Sequence, residues 1–120
     1  MKTVLLVDDE FALVEVLTSV LEEEGLRVIA AANGLEGLQR LGEEVPDAAL
    51  LDVMMPRMGG PELLEKMRAN PKLAGIPVIL MSAAERMGKL VEGAGAAAFL
   101  NKPFRVPTLL ATLRKVMGDW

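Results

Sequence analysis

The residues able to do chemistry in this chain are Asp8, Asp9, Asp52, Ser82 and Lys102, and each ends or closely follows a short apolar run. Thr3–Val7 leads into Asp8-Asp9-Glu10, Asp47–Val53 carries Asp52, Val78–Met81 leads into Ser82, and Ala97–Leu100 leads into Asn101-Lys102-Pro103. An ionised carboxylate does not belong inside an apolar strand without a partner, but near the strand's end Asp52 could point into a crevice lined by other polar groups. If the runs are parallel strands, their C-terminal ends share one edge, where open α/β sheets bind ligands. Three carboxylates in one crevice repel one another unless a cation intervenes. A divalent ion held by Asp8, Asp9 and Asp52, with the ammonium of Lys102 beside it, brings the pocket close to charge balance. An Asp beside Mg²⁺ and a Lys can act as a nucleophile toward phosphorus and form an aspartyl phosphate.

Each residue also has a plainer reading. One of Asp8 and Asp9 could cap a following helix, and Asp52 could open a turn before Pro56. Ser82 could be a turn hydroxyl, Lys102 a solvated surface cation and Phe99 an ordinary core ring. These readings suit the residues singly and their joint placement poorly. Of the five strand candidates, only Arg27–Ala31 contributes nothing of the kind.

Composition narrows the chemistry further. The chain contains no histidine and no cysteine, which excludes Ser-His-Asp and Cys-His catalysis, disulfides and thiolate metal sites. Any metal must be bound through oxygen, which favours Mg²⁺, Mn²⁺ or Ca²⁺. A net charge of −4, with scattered Lys and Arg, argues against binding a nucleic-acid backbone. No apolar stretch approaches a membrane span, and Asp8-Asp9-Glu10 cuts the first run too short for a signal peptide. A cytoplasmic location is the resulting expectation.

The elements that must position these residues alternate in type. Phe11–Glu24 carries apolar residues at 13, 14, 17, 20 and 21, one helical face, and Gly25 suits its stop. Asn33-Gly34 begins a weaker helix to about Leu41, Glu62–Asn70 reads as a third, and Thr108–Met117 as the last. Pro56–Pro61 and Pro71–Pro77 read as loop and linker. Glu85–Ala94 is expected to be a helix, the least stable one, because Gly88, Gly93 and Gly95 fall in or just after it. Five strands alternating with five helices predict an α/β domain with a doubly wound parallel sheet over the whole chain.

Four segments together resemble the response-regulator receiver domains of two-component signalling, the CheY-like family. They are Leu6-Val7-Asp8-Asp9-Glu10, Leu51-Asp52-Val53-Met54-Met55-Pro56-Arg57-Met58-Gly59-Gly60, Ile79-Leu80-Met81-Ser82-Ala83 and Asn101-Lys102-Pro103-Phe104. The resemblance implies a flavodoxin-like fold of receiver type. It makes Asp52 the phosphoacceptor, and Asp8, Asp9, Asp52 and the main-chain carbonyl of Met54 the ligands of Mg²⁺, with Mn²⁺ as a substitute. Lys102 would contact the phosphoryl group, Ser82 would hydrogen-bond it, and Phe99 would turn inward as Ser82 moves. The Lys102-Pro103 bond is expected to be cis. Ser82 stands where Thr is more frequent, and Phe99 lacks the hydroxyl of the Tyr often found there.

The implied partners are a histidine kinase or histidine phosphotransfer protein, and an output partner at the face of the fourth helix, fifth strand and last helix. Homodimerisation on phosphorylation is a further expectation; nucleic-acid and membrane binding are not. The chemistry would be Mg²⁺-dependent acceptance of a phosphoryl group and self-dephosphorylation, not turnover of a substrate. Two other classes remain in view. A Mg²⁺-dependent phosphohydrolase resembling the haloacid dehalogenases would carry Asp-x-Asp after its first strand, and here Asp52 follows the third. A pure interaction domain would not need the complete acid set.

Overall fold

A computed structural model of the chain describes residues 1–83 and 95–120. The elements run β1 (Thr3–Val7), α1 (Phe11–Glu23), β2 (Arg27–Ala31), α2 (Gly34–Glu43), β3 (Ala48–Asp52), α3 (Gly60–Ala69), β4 (Val78–Ser82), β5 (Ala98–Asn101) and α4 (Val106–Met117). The helix expected over Glu85–Ala94 lies outside the described residues. Among the described residues the architecture is a five-stranded parallel sheet with four helices, in the order β2-β1-β3-β4-β5.

The burial of each strand follows from its place in that order. β1, β3 and β4 lie inside the sheet and are buried at every residue, as parallel strands covered on both faces should be. The edge strands β2 and β5 are only partly covered. Alternate residues of a strand point to opposite faces, and the core divides accordingly. Leu5, Val7, Ala49, Leu51 and Leu80 pack with Leu41 of α2 and Leu63, Leu64 and Met67 of α3. Val4, Leu6, Leu50, Ile79 and Met81 pack with Leu17 and Leu21 of α1 and Leu109 and Leu113 of α4.

That alternation also sorts the polar residues. Asp52 has the parity of Leu50 and so belongs to the α1–α4 side. Ser82 has the parity of Leu80, whose register partner Phe99 packs against the α2–α3 side of the core. Ser82 and Phe99 therefore share one side of the sheet, and Asp52 takes the other.

Two helices begin earlier than the sequence pattern suggests. α3 starts at Gly60 rather than Glu62, and α4 at Val106 rather than Thr108, so Pro61 and Pro107 lie in first turns. A first-turn residue has no intrahelical acceptor for its N–H, so proline loses nothing there. The Pro71–Pro77 linker is also better packed than a linker need be, because Leu73 and Ile76 are buried against α3 and β4.

Candidate functional site

The first strand sets the site's base. Asp8 extends the β1–β2 pairing by one residue, its N–H donating to the Ala31 carbonyl at 3.1 Å. Its side chain is fully buried, and Oδ1 accepts the Glu10 N–H at 2.9 Å. This turn fixes the carboxylate and opens α1 with the chain already reversed. Asp9 takes the alternate direction and is exposed.

Asp52 closes β3. The next residue, Val53, donates its N–H to the Met81 carbonyl at 2.8 Å, so the sheet ladder continues past the acid. The loop then returns at once, the Gly60 N–H donating to the Val53 carbonyl at 3.2 Å. This return needs a residue without a side chain, because a Cβ at Gly60 would stand 2.5 Å from the Asp52 carbonyl oxygen. The loop is held from below as well, with the Gly34 N–H donating to the Met58 carbonyl at 3.0 Å. Arg57 takes φ 70°, the left-handed region unusual for a non-glycine residue, at the turn of this loop.

Lys102 follows β5, its main-chain N–H donating to the Ser82 carbonyl at 2.7 Å. The Lys102-Pro103 peptide is cis. The ammonium turns back across the sheet to Asp8 Oδ2 at 2.5 Å and reaches Asp52 Oδ1 at 3.5 Å. Carboxylate oxygens of Asp8, Asp9 and Asp52 all lie within 4.8 Å of one another. The residues expected to share the site are thus gathered at the C-terminal ends of β1, β3 and β5. Ser82 is buried at the end of β4, opposite Asn101 in register. Met54, two residues beyond Asp52, has an exposed side chain.

The electrostatics follow from these positions. Burial, then the Asp8 charge, push the Asp52 carboxyl up to about 6, with Lys102 pulling the other way and Asp9 adding a little more repulsion. Burial pulls the Lys102 ammonium down, but the hydrogen bond and charge of Asp8, with those of Asp52, outweigh it and leave the group raised. At neutral pH the cluster therefore sets several acids against one half-buried ammonium, an arrangement that a further cation relieves.

The donor set fits a hard divalent ion. All three side chains offer carboxylate oxygen, the ligand Mg²⁺ prefers. The three oxygens lie within 4.8 Å of one another, close to the spread that a single such ion spans. Alongside the site an apolar cavity of about 410 Å³ runs between α1 and the β5–α4 loop, lined by Leu13, Val16, Lys102, Pro103, Phe104 and Val106.

What sequence reasoning missed here is positional. Gly34 and Gly60 hold the acid-bearing loop by close backbone approach; the Asn33-Gly34 pair and the Met-Pro-Arg-Met-Gly-Gly run are their signals in the sequence. The pairing of Lys102 with Asp8 in preference to Asp52 had no signal in the sequence.

Residues 4–114 match the family described as the response regulator receiver domain. A transcriptional regulatory protein CpxR homolog of Haemophilus influenzae is 40% identical over 119 residues, covering 98% of this chain and 51% of its own length. The polar-differentiation response regulator DivK of Brucella anthropi is 30% identical over 120 residues, 98% of both chains. Among solved structures, the response regulator TrrA of Thermotoga maritima, in complex with Mg²⁺-BeF, superposes with a TM-score of 0.88 at 30% identity, over 97% of this chain and 99% of that one. Against several of the curated relatives it matches, the chain spans about half their length.

Proposed function

The chain belongs to the response regulator receiver domain family of two-component systems, and on that premise we propose that it is a phosphorylation-dependent switch with Asp52 as phosphoacceptor. The observation that carries this reading is the convergence on Asp52 of an ammonium at 3.5 Å and two further carboxylates within 4.8 Å. Asp8 shares these neighbours, but its two oxygens already face the Glu10 N–H and the Lys102 ammonium at 2.9 and 2.5 Å.

In the proposed reaction an Asp52 carboxylate oxygen attacks the phosphorus of a phosphohistidine on a kinase or phosphotransfer protein. The P–N bond breaks, its electron pair stays on the imidazole nitrogen, and an acyl phosphate forms on Asp52. Later attack by water on the same phosphorus returns the carboxylate and releases phosphate. Lys102 supplies positive charge to the phosphoryl oxygens, a role suited to transfers that need alignment and neutralisation more than covalent assistance. Mg²⁺, held by Asp8, Asp9, Asp52 and the Met54 main-chain carbonyl, would neutralise the remaining oxygen charge; Mn²⁺ has the same oxygen preference. The Mg²⁺-BeF complex of the Thermotoga maritima regulator supports the metal assignment by similarity.

Ser82 and Phe99, on the opposite side of the sheet from Asp52, are the readout in this reading. Ser82 hydrogen-bonds the phosphoryl group and Phe99 follows it inward. The output face is the one formed by the fourth expected helix, β5 and α4, and homodimerisation on phosphorylation is one use of it. The apolar cavity beside Lys102 suits the phosphodonor, which has to cover this rim to deliver its histidine. The domain modifies itself and turns over no separate substrate. It works in the cytoplasm and binds neither nucleic acid nor membrane by itself; no described helix is long and apolar enough to cross a membrane.

Incubation with acetyl phosphate and Mg²⁺ tests the assignment by intact mass. One phosphoryl group should appear on the wild type and none on Asp52→Asn. Equal labelling of the variant removes Asp52 from the reaction.

A further inference from the structure

We propose that Asn33-Gly34 is a spontaneous deamidation site held closed by the fold, and that its isoaspartyl product releases the loop following Asp52. The modification does not depend on the role assigned to Asp52.

The fold demands both residues of the pair, each for its own reason. Asn33 caps α2, its Oδ1 accepting the Glu36 N–H at 2.9 Å, a task for a short side chain with an acceptor oxygen. Gly34 lies against the β3–α3 loop, where an added Cβ would stand 2.4 Å from the Met58 carbonyl oxygen. A side chain is therefore excluded at position 34. An asparagine followed by glycine is also the pair whose main-chain nitrogen reaches the side-chain amide with least obstruction. The other two asparagines, Asn70 and Asn101, precede Pro71 and Lys102. Proline has no N–H to give up, and the lysine side chain crowds the approach.

The reaction needs only water. The Gly34 nitrogen gives its proton to solvent base and bonds to the Asn33 side-chain carbonyl carbon, and the amide nitrogen leaves as ammonia. Water then opens the cyclic imide at either carbonyl, to aspartate or to isoaspartate. In the fold both reactants are engaged, Oδ1 by the Glu36 N–H and the Gly34 N–H by the Met58 carbonyl at 3.0 Å. The imide nitrogen carries no hydrogen, so the ring cannot close while the Met58 contact is kept. Reaction therefore proceeds from a locally opened state.

The two products differ in consequence. Aspartate restores the cap and adds a charge that suits a helix N-terminus. Isoaspartate routes the main chain through the side-chain methylene, which displaces Gly34 from Met58. That contact holds the loop from below, so its loss frees the loop that follows the acid.

Ageing the whole chain in mildly alkaline buffer, folded and in urea, tests the site by peptide mapping. Amide loss should concentrate at Asn33 and run about tenfold or more slowly in the folded protein. Loss led by Asn70 or Asn101, or folded and unfolded rates within twofold, overturns the proposal. Release is read on isoaspartyl chains accumulated in the folded protein, as hydrogen exchange of the Gly60 N–H, which closes the loop on the Val53 carbonyl at 3.2 Å. That exchange should be about tenfold faster than in fresh protein, unchanged in Asn33→Asp, and slowed again by an isoaspartyl methyltransferase, which returns the ordinary backbone. Unchanged exchange, equal acceleration in Asn33→Asp, or a rise shared by Leu113 of α4 overturns a local release. Acetyl phosphate labelling of fresh protein is scored separately, so a missing phosphoacceptor is distinguished from a missing release.

Discussion

Gly60 packs its α-carbon directly against the main-chain carbonyl of Asp52, leaving so little space that an added Cβ would lie 2.5 Å from that oxygen. α3 thus begins in contact with the last residue of β3, and the loop between them has no slack. The carbonyl is backbone and cannot yield as a flexible side-chain tip would. We expect Gly60→Ala to cost about 1–3 kcal/mol, the usual range for overpacking a tight site, measured by urea unfolding. It should also slow Asp52 labelling, because relief of the clash moves the acid's own peptide. An alanine variant with unchanged stability and labelling would show that the loop is loose.

Protonation of Asp52 gives a pH dependence with a defined sign. Its carboxyl is raised from 3.8 to about 6 in the fold, so the native state binds more protons than the unfolded chain between those values. Stability of the metal-free protein should therefore fall as pH rises from about 4 through 6. Asp52→Asn removes the charged form, and in a chelator at pH 7.5 it should be more stable than the wild type by about 1–3 kcal/mol. That advantage should fade as pH drops through 6 toward 4. A variant less stable than the wild type at pH 7.5 would mean that the Lys102 attraction outweighs burial and the Asp8 charge.

Magnesium should stabilise the fold by mass action, because it binds a site absent from the unfolded chain. At a hundredfold excess over the dissociation constant the gain is about 2.7 kcal/mol, visible as a rise in melting temperature. Asp9 is the member of the acid set exposed to solvent, so Asp9→Ala should leave metal-free stability almost unchanged. The variant should lose most of the Mg²⁺ response. An undiminished response would exclude Asp9 from the ligand set.

Ser82 allows chemistry and signalling to be separated. It lies on the opposite pleat from Asp52, next to β5 and paired in register with Asn101. Ser82→Ala should still accept the phosphoryl group at a rate within about tenfold, since Asp52 and Lys102 are intact. The Phe99 ring resonances, which should shift on phosphorylation of the wild type, should stay near their resting positions in the variant. A full ring shift there would reduce Ser82 to a strand-end residue.

The far end of the domain offers a control remote from the site. Trp120 donates its indole N–H to the Glu24 carbonyl at 2.8 Å, and the Arg114 guanidinium lies 4.6 Å from the ring centroid. Trp120→Phe keeps an aromatic ring and loses that hydrogen bond. About 0.5–1.5 kcal/mol of stability should go with it, and Mg²⁺ affinity should not change. A change in affinity would reveal coupling along the whole length of the sheet.

The sequence by itself determined the elements and the edge at which the acids collect. Apolar runs such as Val4–Val7 and Val78–Met81 have no polar face, which is what burial on both sides of a parallel strand requires; that Ser82 and Phe99 take one side of the sheet and Asp52 the other came from strand register and packing. Local signals misplaced the starts of α3 and α4, where Pro61 and Pro107 lie in first turns that accept them. Tertiary structure decided which acid is buried, since adjacent Asp8 and Asp9 are identical in type and only the β1–β2 pairing separates them. It also decided that Lys102 sits on Asp8, across 94 positions of sequence, and only 3.5 Å from Asp52. Periodicity is set by neighbours a few residues apart, whereas that choice of partner depends on strand order, register and a one-ångström difference between two carboxylates, none of which is written in any local stretch of the chain.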